Sequence, residues 1–387
     1  MAGKRKKDLK VMTIVGTRPE IIRLAAVIKK LDKYCRHVLV HTGQNYDYEL
    51  NKVFFEDLRL RSPDYVLEVK SDTLYGQLGN ILAKTGAVID KERPDAVLVL
   101  GDTNSALSVI NAKRLKIPIF HMEAGDRSFD ENVPEELNRR IVDHVADVDL
   151  AYTEYSRRNL LREGIHPSRI FVTGSPIREV YVDMARRFKT SRILKQLRLK
   201  KGRFITASIH REENVDRKGG LESMVRSYNA LAENYRMPIV VSTHPRTRRR
   251  LEMLGLDRAS DVRILWHKPF GLIDYITLQV NSFCVVSDSG TIHEDSSILN
   301  FPAIAIRRST EKAESIDAGH CVITGLEPES VLRSVEIATN DPVDLSRSPM
   351  PVEYSPLNVS SKVVRIILGM TKVIDERVWG DPDKKYV

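Results

Sequence analysis

LKVMTIVGTRPEIIRLAAVIKKL, residues 9–31, decides the fold class. Its first seven residues, Leu9–Val15, are an almost unbroken apolar run, as a strand buried on both faces requires. A Gly-Thr turn interrupts the run, and from Glu20 to Leu31 apolar residues recur at helical spacing. The same strand–turn–helix unit repeats outward along the chain. His37–His41, Ala96–Leu100, Ile117–His121, Asp149–Tyr152 and Ile170–Thr173 read as further strands, and Leu74–Lys91 and Glu135–Ala146 as helices between them. A second series follows. Its strands are Phe204–Ile209, Ile239–Ser242, Val262–Leu265, Phe283–Ser287 and Ala303–Ile306. Its helices are Leu221–Asn234, Arg246–Leu254, Leu272–Val280 and Thr291–Leu299. Alternation of this kind predicts parallel sheets covered on both faces, hence two doubly wound α/β domains in tandem with a boundary within residues 178–203. Residues 340–358, rich in Pro, Ser and Asp, read as a loop, and an amphipathic helix over Ser360–Met370 follows.

Composition agrees with two packed domains. Of 387 residues, 42% are hydrophobic and 29% charged, enough apolar surface for real cores and against disorder. No stretch approaches the roughly 18 apolar residues of a spanning helix, and no apolar segment follows the basic N-terminus as in a secretory signal. Cys35, Cys284 and Cys321 are the three cysteines, widely spaced, which predicts neither a disulfide framework nor a cysteine zinc site and fits the cytoplasm. The net charge of +9 is concentrated in residues 4–10 and 186–203, leaving the remainder net negative. Solubilising charge explains this better than nucleic-acid binding.

The polar clusters share one position. Gly16-Thr17-Arg18, Thr42-Gly43-Gln44, Gly101-Asp102-Thr103 and Glu123-Ala124-Gly125 each follow a predicted strand, as do His210-Arg211, His244-Pro245 and Asp288-Ser289-Gly290. Any one could be turn chemistry. Together they mark the carboxyl edges of two parallel sheets, where such folds bind ligands, and predict two edges facing each other across a cleft. In Ser287–Thr291 a strand meets a helix start, which would suit a phosphate or simply make Ser289 a helix cap; the residues leave both open. Asp102, Glu123 and Glu135 are carboxylates near one edge and could divide acid and base roles. Glu135 and Arg139, four apart, share a helix face and could equally pair with each other. His210 and His244 lack zinc-ligand spacing, and neither GxGxxG nor a Walker motif occurs, so no metal and no nicotinamide cofactor is expected.

Read together, GTRPE (16–20), HTGQ (41–44), GDTNS (101–105), HMEAGDRS (121–128), PEELNRR (134–140), HREEN (210–214), THP (243–245), SDSGTIHED (287–295) and RSTEKAE (308–314) resemble the non-hydrolysing UDP-N-acetylhexosamine 2-epimerases. HTGQNYDYELN (41–51), SFDENVPEE (128–136), HKPFGLIDY (267–275) and NVSSKVVRII (358–367) resemble its UDP-N-acetyl-L-fucosamine synthase branch. The resemblance implies a GT-B, glycogen-phosphorylase-like pair of Rossmann-like domains with an active-site cleft between them. Residues 1–180 would form the sugar-binding and dimer-forming domain and 190–358 the UDP domain, with 359–387 a helix returning to the first. It implies an isomerase that inverts C2 of UDP-2-acetamido-2,6-dideoxy-L-talose by eliminating UDP to a glycal and re-adding it; UDP-GlcNAc/UDP-ManNAc epimerisation is the alternative, and a GT-B glycosyltransferase a further one. By the same resemblance Asp102, Glu123, Glu135 and His210 are catalytic. Arg18, Ser289 and Gly290 hold the diphosphate, Asp295 the ribose and Tyr275 the uracil, while Arg23, Arg139, His244 and Arg307 complete the substrate site. The expected partners are a UDP-sugar, UDP and a second copy of the chain, with no nucleic acid and no membrane insertion. Two residues depart from the better-known glucosamine enzymes: Arg23 replaces a Lys and Asp295 a Glu. The Gln44-Asn45-Tyr46 region also differs from the segment that holds an allosteric UDP-sugar in some members.

Overall fold

The structure is a computed structural model that describes residues 9–44, 54–209, 211–215, 219–344 and 348–381. The chain divides into two compact units, one of Met1–Val182 with Pro356–Val387 and one of Asp183–Ser355.

Among the described residues the first unit holds seven parallel strands: β1 (Lys10–Val15), β2 (Arg36–His41), β3 (Tyr65–Val66), β4 (Ala96–Leu100), β5 (Ile119–Met122), β6 (Val148–Ala151) and β7 (Ile170–Val172), in the order β3-β2-β1-β4-β5-β6-β7. The described residues of the second form six: β8 (Ile205–Ile209), β9 (Ile239–Thr243), β10 (Ile264–His267), β11 (Cys284–Ser287), β12 (Ala303–Ile306) and β13 (Val322–Thr324), in the order β10-β9-β8-β11-β12-β13. Helices of eight or more described residues are α1 (Arg18–Tyr34), α2 (Leu74–Glu92), α3 (Pro134–Val145), α4 (Glu154–Arg162), α5 (Ile177–Phe188), α6 (Gly220–Tyr235), α7 (Pro245–Met253), α8 (Leu272–Asn281), α9 (Ile292–Leu299), α10 (Pro328–Asn340) and α11 (Val359–Val378). The unit boundary falls inside α5.

The apolar runs behave as expected of parallel strands. Every residue of β4, AVLVL, is buried, as are five of six in β1. Two strands begin later than their apolar runs. β5 starts at Ile119 rather than Ile117, because Pro118 has no N–H to donate to the ladder. β10 starts at Ile264 rather than Val262, because Asp261 Oδ1 takes the Arg263 N–H at 2.8 Å and turns the chain. The C-terminal helix α11 buries Val359, Val363, Val364 and Ile367 within the first unit, where it packs on α1. Lys30 Nζ meets Ser361 Oγ at 2.5 Å, and Glu179 Oε2 accepts the Ser360 N–H at 2.9 Å.

Each sheet reverses its winding once. In the first unit the switch lies between β1 and β4, in the second between β8 and β11. A doubly wound sheet opens a crevice at that point, outside the carboxyl ends of the two strands.

Candidate active site

The chemistry-bearing motifs leave the sheets at these switch points. After β1 comes Gly16-Thr17-Arg18, and after β4 Gly101-Asp102-Thr103. The two turns are stitched together. A Cβ on residue 16 would lie 2.0 Å from Ser105 Oγ, so only glycine lets them approach. Glu20 sits behind them. It accepts the Gly16 N–H at 3.0 Å, the Thr17 N–H at 2.7 Å and the Thr103 hydroxyl at 3.2 Å, a capping box that also reaches the neighbouring turn. Burial raises its carboxyl to about 7 despite those donors.

Asp102 faces Arg139 on α3, whose Nε donates to Asp102 Oδ2 at 3.0 Å and whose Nη2 reaches the same oxygen. Asn138, one residue earlier, donates to the Asp102 carbonyl at 2.9 Å. Glu123, just past β5, has φ of 64°, a left-handed backbone that a non-glycine residue adopts at a cost and that recurs at functional sites. Its Oε1 pairs with Arg23 Nη1, and the Arg23 guanidinium lies 5.8 Å from the Tyr152 ring centre. Arg18 stands over the Phe54 ring at 5.3 Å. The structure therefore brings Asp102 to Arg139 and Glu123 to Arg23. Glu135 lies exposed in the first turn of α3. Its neighbour Glu136 is the fully buried member of that turn, accepting Ser128 N–H at 3.0 Å and Arg139 Nη1 at 2.9 Å. Burial would raise the Glu136 carboxyl, but these donors outweigh it and hold it low. Spacing in the sequence offers Glu135, four residues from Arg139, as a partner; the structure pairs Arg139 with Glu136, three residues away.

In the second unit, Asp288-Ser289-Gly290 follows β11, the strand that pairs with β8. His210 itself lies outside the described residues, as do Asn45 and Tyr46. Its neighbour Arg211 is described. The buried Asp288 Oδ2 accepts the Arg211 N–H at 3.0 Å and the Asn214 amide at 3.2 Å, tying the two strand-end loops together. A Cβ on residue 290 would lie 3.3 Å from Arg211 Nη2 and 3.6 Å from Arg307 Nη1, so glycine leaves an open space between two guanidinium groups. Arg307, 2% exposed, pairs with Glu311 through Nη1 at 2.8 Å. Arg211 also approaches Glu311, at 3.8 Å. Arg211 and Glu311 are additions to the residues singled out from sequence, though both lie inside motifs noted there. Ser289 Oγ accepts the Thr291 N–H at 3.3 Å, so it does take part in the helix entrance, two residues ahead of the Thr291 cap of α9.

The remaining residues lie around this edge. Asp295 on α9 is buried, its Oδ2 held by Thr291 Oγ1 at 3.1 Å and Gln279 Nε2 at 3.4 Å. The Tyr275 hydroxyl on α8 donates to Ser208 Oγ at 3.1 Å, and burial raises it to about 12. His244 is exposed at the end of β9, where Nδ1 accepts the Arg246 N–H at 3.3 Å and caps α7.

Two Rossmann-like units, each with charged groups at its switch point, define a two-domain, GT-B-like α/β protein. A family model described as UDP-N-acetylglucosamine 2-epimerase matches residues 29–368. The chain is similar to the solved UDP-N-acetylglucosamine 2-epimerase of Rickettsia bellii, with 46% identity, a TM-score of 0.90 and 96% of this chain and 99% of that one covered. It is also similar to the enzyme of Methanocaldococcus jannaschii solved in complex with UDP-GlcNAc and UDP, with 35% identity, a TM-score of 0.86 and 93% and 99% covered. A third relative is the UDP-2,3-diacetamido-2,3-dideoxy-D-glucuronate 2-epimerase of Pseudomonas aeruginosa, 36% identical over 84% of this chain and 91% of that protein. The chain belongs to the UDP-N-acetylglucosamine 2-epimerase family, an isomerase family.

Proposed function

We propose that this protein inverts C2 of a UDP-2-acetamido sugar without hydrolysing it, and that its substrate is UDP-2-acetamido-2,6-dideoxy-L-talose, giving UDP-N-acetyl-L-fucosamine. The observation that carries the reading is the division of charge between the two switch points. One gathers carboxylates paired with Arg23 and Arg139; the other opens a glycine-lined space beside Arg211 and Arg307. Carboxylates serve proton transfer, and guanidinium groups beside a glycine turn serve a diphosphate.

The chemistry follows from the substrate. No carbonyl adjoins C2, so a simple deprotonation there is hard. A base on the first unit instead takes the C2 proton while the C1–O bond breaks. The electron pair becomes the C1=C2 bond of a 2-acetamidoglycal, and the diphosphate leaves with the other pair. Re-addition of UDP at C1, with a proton delivered to the opposite face of C2, gives the epimer. Asp102, Glu123, Glu135 and His210 are the groups assigned to proton transfer. Arg18, Ser289, Gly290 and Arg307 hold the diphosphate, where cations lower the barrier as charge develops on the leaving oxygen. Arg23, Arg139 and His244 complete the sugar and phosphate contacts, Asp295 takes the ribose and Tyr275 the uracil.

The finer sugar assignment rests on SFDENVPEE, HKPFGLIDY and NVSSKVVRII and on Arg23 standing in place of Lys, since Arg and Lys present different donor geometries. Interconversion of UDP-GlcNAc and UDP-ManNAc by the same chemistry is the second reading, favoured by the relatives' names. The protein would act as a cytoplasmic homodimer needing neither metal nor nicotinamide. Its three buried free thiols fit a reducing compartment.

The test is turnover of both UDP-sugars in heavy water, read by NMR. Deuterium should enter C2, and an oxygen label in the C1–O–P bridge should scramble into the non-bridging positions. The 6-deoxy-L-sugar should turn over faster. Epimerisation with the C2 proton retained would remove the elimination route, and a strict need for an acceptor would favour a glycosyltransferase.

A further inference from the structure

Beneath the edge that carries Glu123 lies a buried charged cluster that none of the roles above uses. His121 on β5, Asp143 on α3 and Asp149 on β6 are fully buried, and Arg127 in the loop after β5 is nearly so. His121 Nδ1 lies 2.8 Å from Asp143 Oδ1, and Nε2 donates to the Gly101 carbonyl at 2.8 Å, since a carbonyl only accepts. Asp143 also takes the Gly125 N–H at 3.2 Å and Arg127 Nη2 at 2.7 Å. Burial acts to raise its carboxyl, yet these partners, His121 first, hold it low. Asp149 stands opposite His121 in the β5–β6 register, and neither of its oxygens has a hydrogen-bond partner. Burial, and then the Asp143 charge, push it well above the usual carboxylate range.

His121, Asp143 and Asp149 have a spacing that a metal ion could use. The Arg127 guanidinium already occupies the place a cation would take, and His121 Nε2 is committed to the Gly101 carbonyl. The cluster's position gives it a different use. Gly101 is the residue before Asp102, and its N–H donates to the Met122 carbonyl at 2.9 Å, the residue before Glu123. The His121 ring thus closes a second tie across the one place where both carboxylates leave the sheet.

We propose that His121 is a positioning residue for the epimerisation: it clamps the Gly101 carbonyl and fixes the backbone from which Asp102 and Glu123 project. The proposal rests on the reading of Asp102 and Glu123 as proton-transfer groups. The charged groups facing the ring are Asp143 from α3, Arg127 from the β5 loop with Glu163 behind it, and Asp149 from β6 with Asp147 and Arg169 beyond; Glu123 with Arg23 lies at the edge above.

The experiment compares wild type, His121→Gln and Asp143→Asn in the full-length protein. His121→Gln should lower kcat about tenfold or more, as loss of a group that orients a reacting residue does, with UDP affinity by calorimetry unchanged. Initial rates across substrate concentration should place that loss in kcat and leave KM unmoved, which a general loosening of the edge would not produce. Asp143→Asn keeps the ring and its bond to Gly101 but loosens the ring's other anchor, so its kcat should fall less, again with UDP affinity unchanged. Independently of turnover, the histidine-15N spectrum of the wild-type protein should contain one imidazole among the ten histidines whose Nε2–H proton is protected from exchange by the Gly101 carbonyl. A His121→Gln enzyme with wild-type kcat, or a wild-type spectrum without such a ring, overturns the proposal. If His121→Gln does not fold, Asp143→Asn and the wild-type spectrum still decide it. A wild type inactive on every UDP-2-acetamido sugar would sink the functional reading and the positioning role with it, while the ring's spectrum would still report whether the clamp exists.

Discussion

The Arg139 guanidinium donates to Asp102 from two nitrogens, and both bonds end on the same oxygen, Oδ2. Oδ1 takes no part in that grip. The carboxylate is therefore held in one orientation by a planar donor that Lys cannot imitate. If Asp102 transfers a proton, its free choice of rotamer has been removed in advance.

Asp102→Asn, Glu123→Gln and Glu135→Gln are each expected to cut turnover about 10²-fold or more, the scale for losing a positioned acid or base. Arg139→Lys should fall between these and wild type. UDP affinity should survive the three carboxylate substitutions, since none of those residues is assigned to the diphosphate. Initial rates beside calorimetric UDP titrations separate the two effects.

Gly290→Ala should weaken UDP binding more than it disturbs the fold. The new methyl would stand 3.3 Å from Arg211 Nη2, in the space between the two guanidinium groups, and φ at this glycine is not in the left-handed region. A UDP titration showing wild-type affinity would remove this space from the phosphate site.

The second unit should lose stability in acid through His293. This ring is fully buried, its Nε2 facing Thr310 Oγ1 at 3.1 Å, and burial together with the Arg307 charge lowers it to about 3. An unfolded chain binds that proton near 6.5. The folded value is depressed, so the contribution is full above 6.5 and is lost as pH falls from 6.5 toward 3, on the order of a few kcal/mol. Urea midpoints measured across that window should fall, and His293→Gln should flatten the fall.

Ile367→Ala should destabilise the first unit by about 2–5 kcal/mol, as for other fully buried isoleucines. The residue is fully buried on α11, which packs against α1. Turnover at temperatures well below the transition should be spared, which differential scanning beside an activity assay can check.

Much of this architecture is readable because parallel strands are buried on both faces and advertise themselves as apolar runs. β4 and β11 needed nothing more. β3, two residues long, and β13, three, were not legible. They lie at the sheet edges, where a few hydrogen bonds suffice and no long apolar run is demanded. Asp102 and Glu123 stood out because each directly follows a buried strand. Which of Glu135 and Glu136 turns inward did not, since adjacent helical residues point about 100° apart and the run PEEL offers no apolar phase to choose between them. The His121–Asp143 pair was invisible for another reason. Its members are 22 residues apart and meet only because α3 folds back over β5.

The chain leaves the first unit within α5 and returns to it only at residue 356, after the whole of the second has been made. Emergence from the ribosome therefore runs out of step with assembly. Asp183–Ser355 is an uninterrupted stretch that can collapse as soon as it is out. The first unit, although begun earlier, waits for its last helix to cover α1. A nascent chain stalled near residue 355 would carry a finished second half and an unsealed first one, with an apolar helix face open to chaperones.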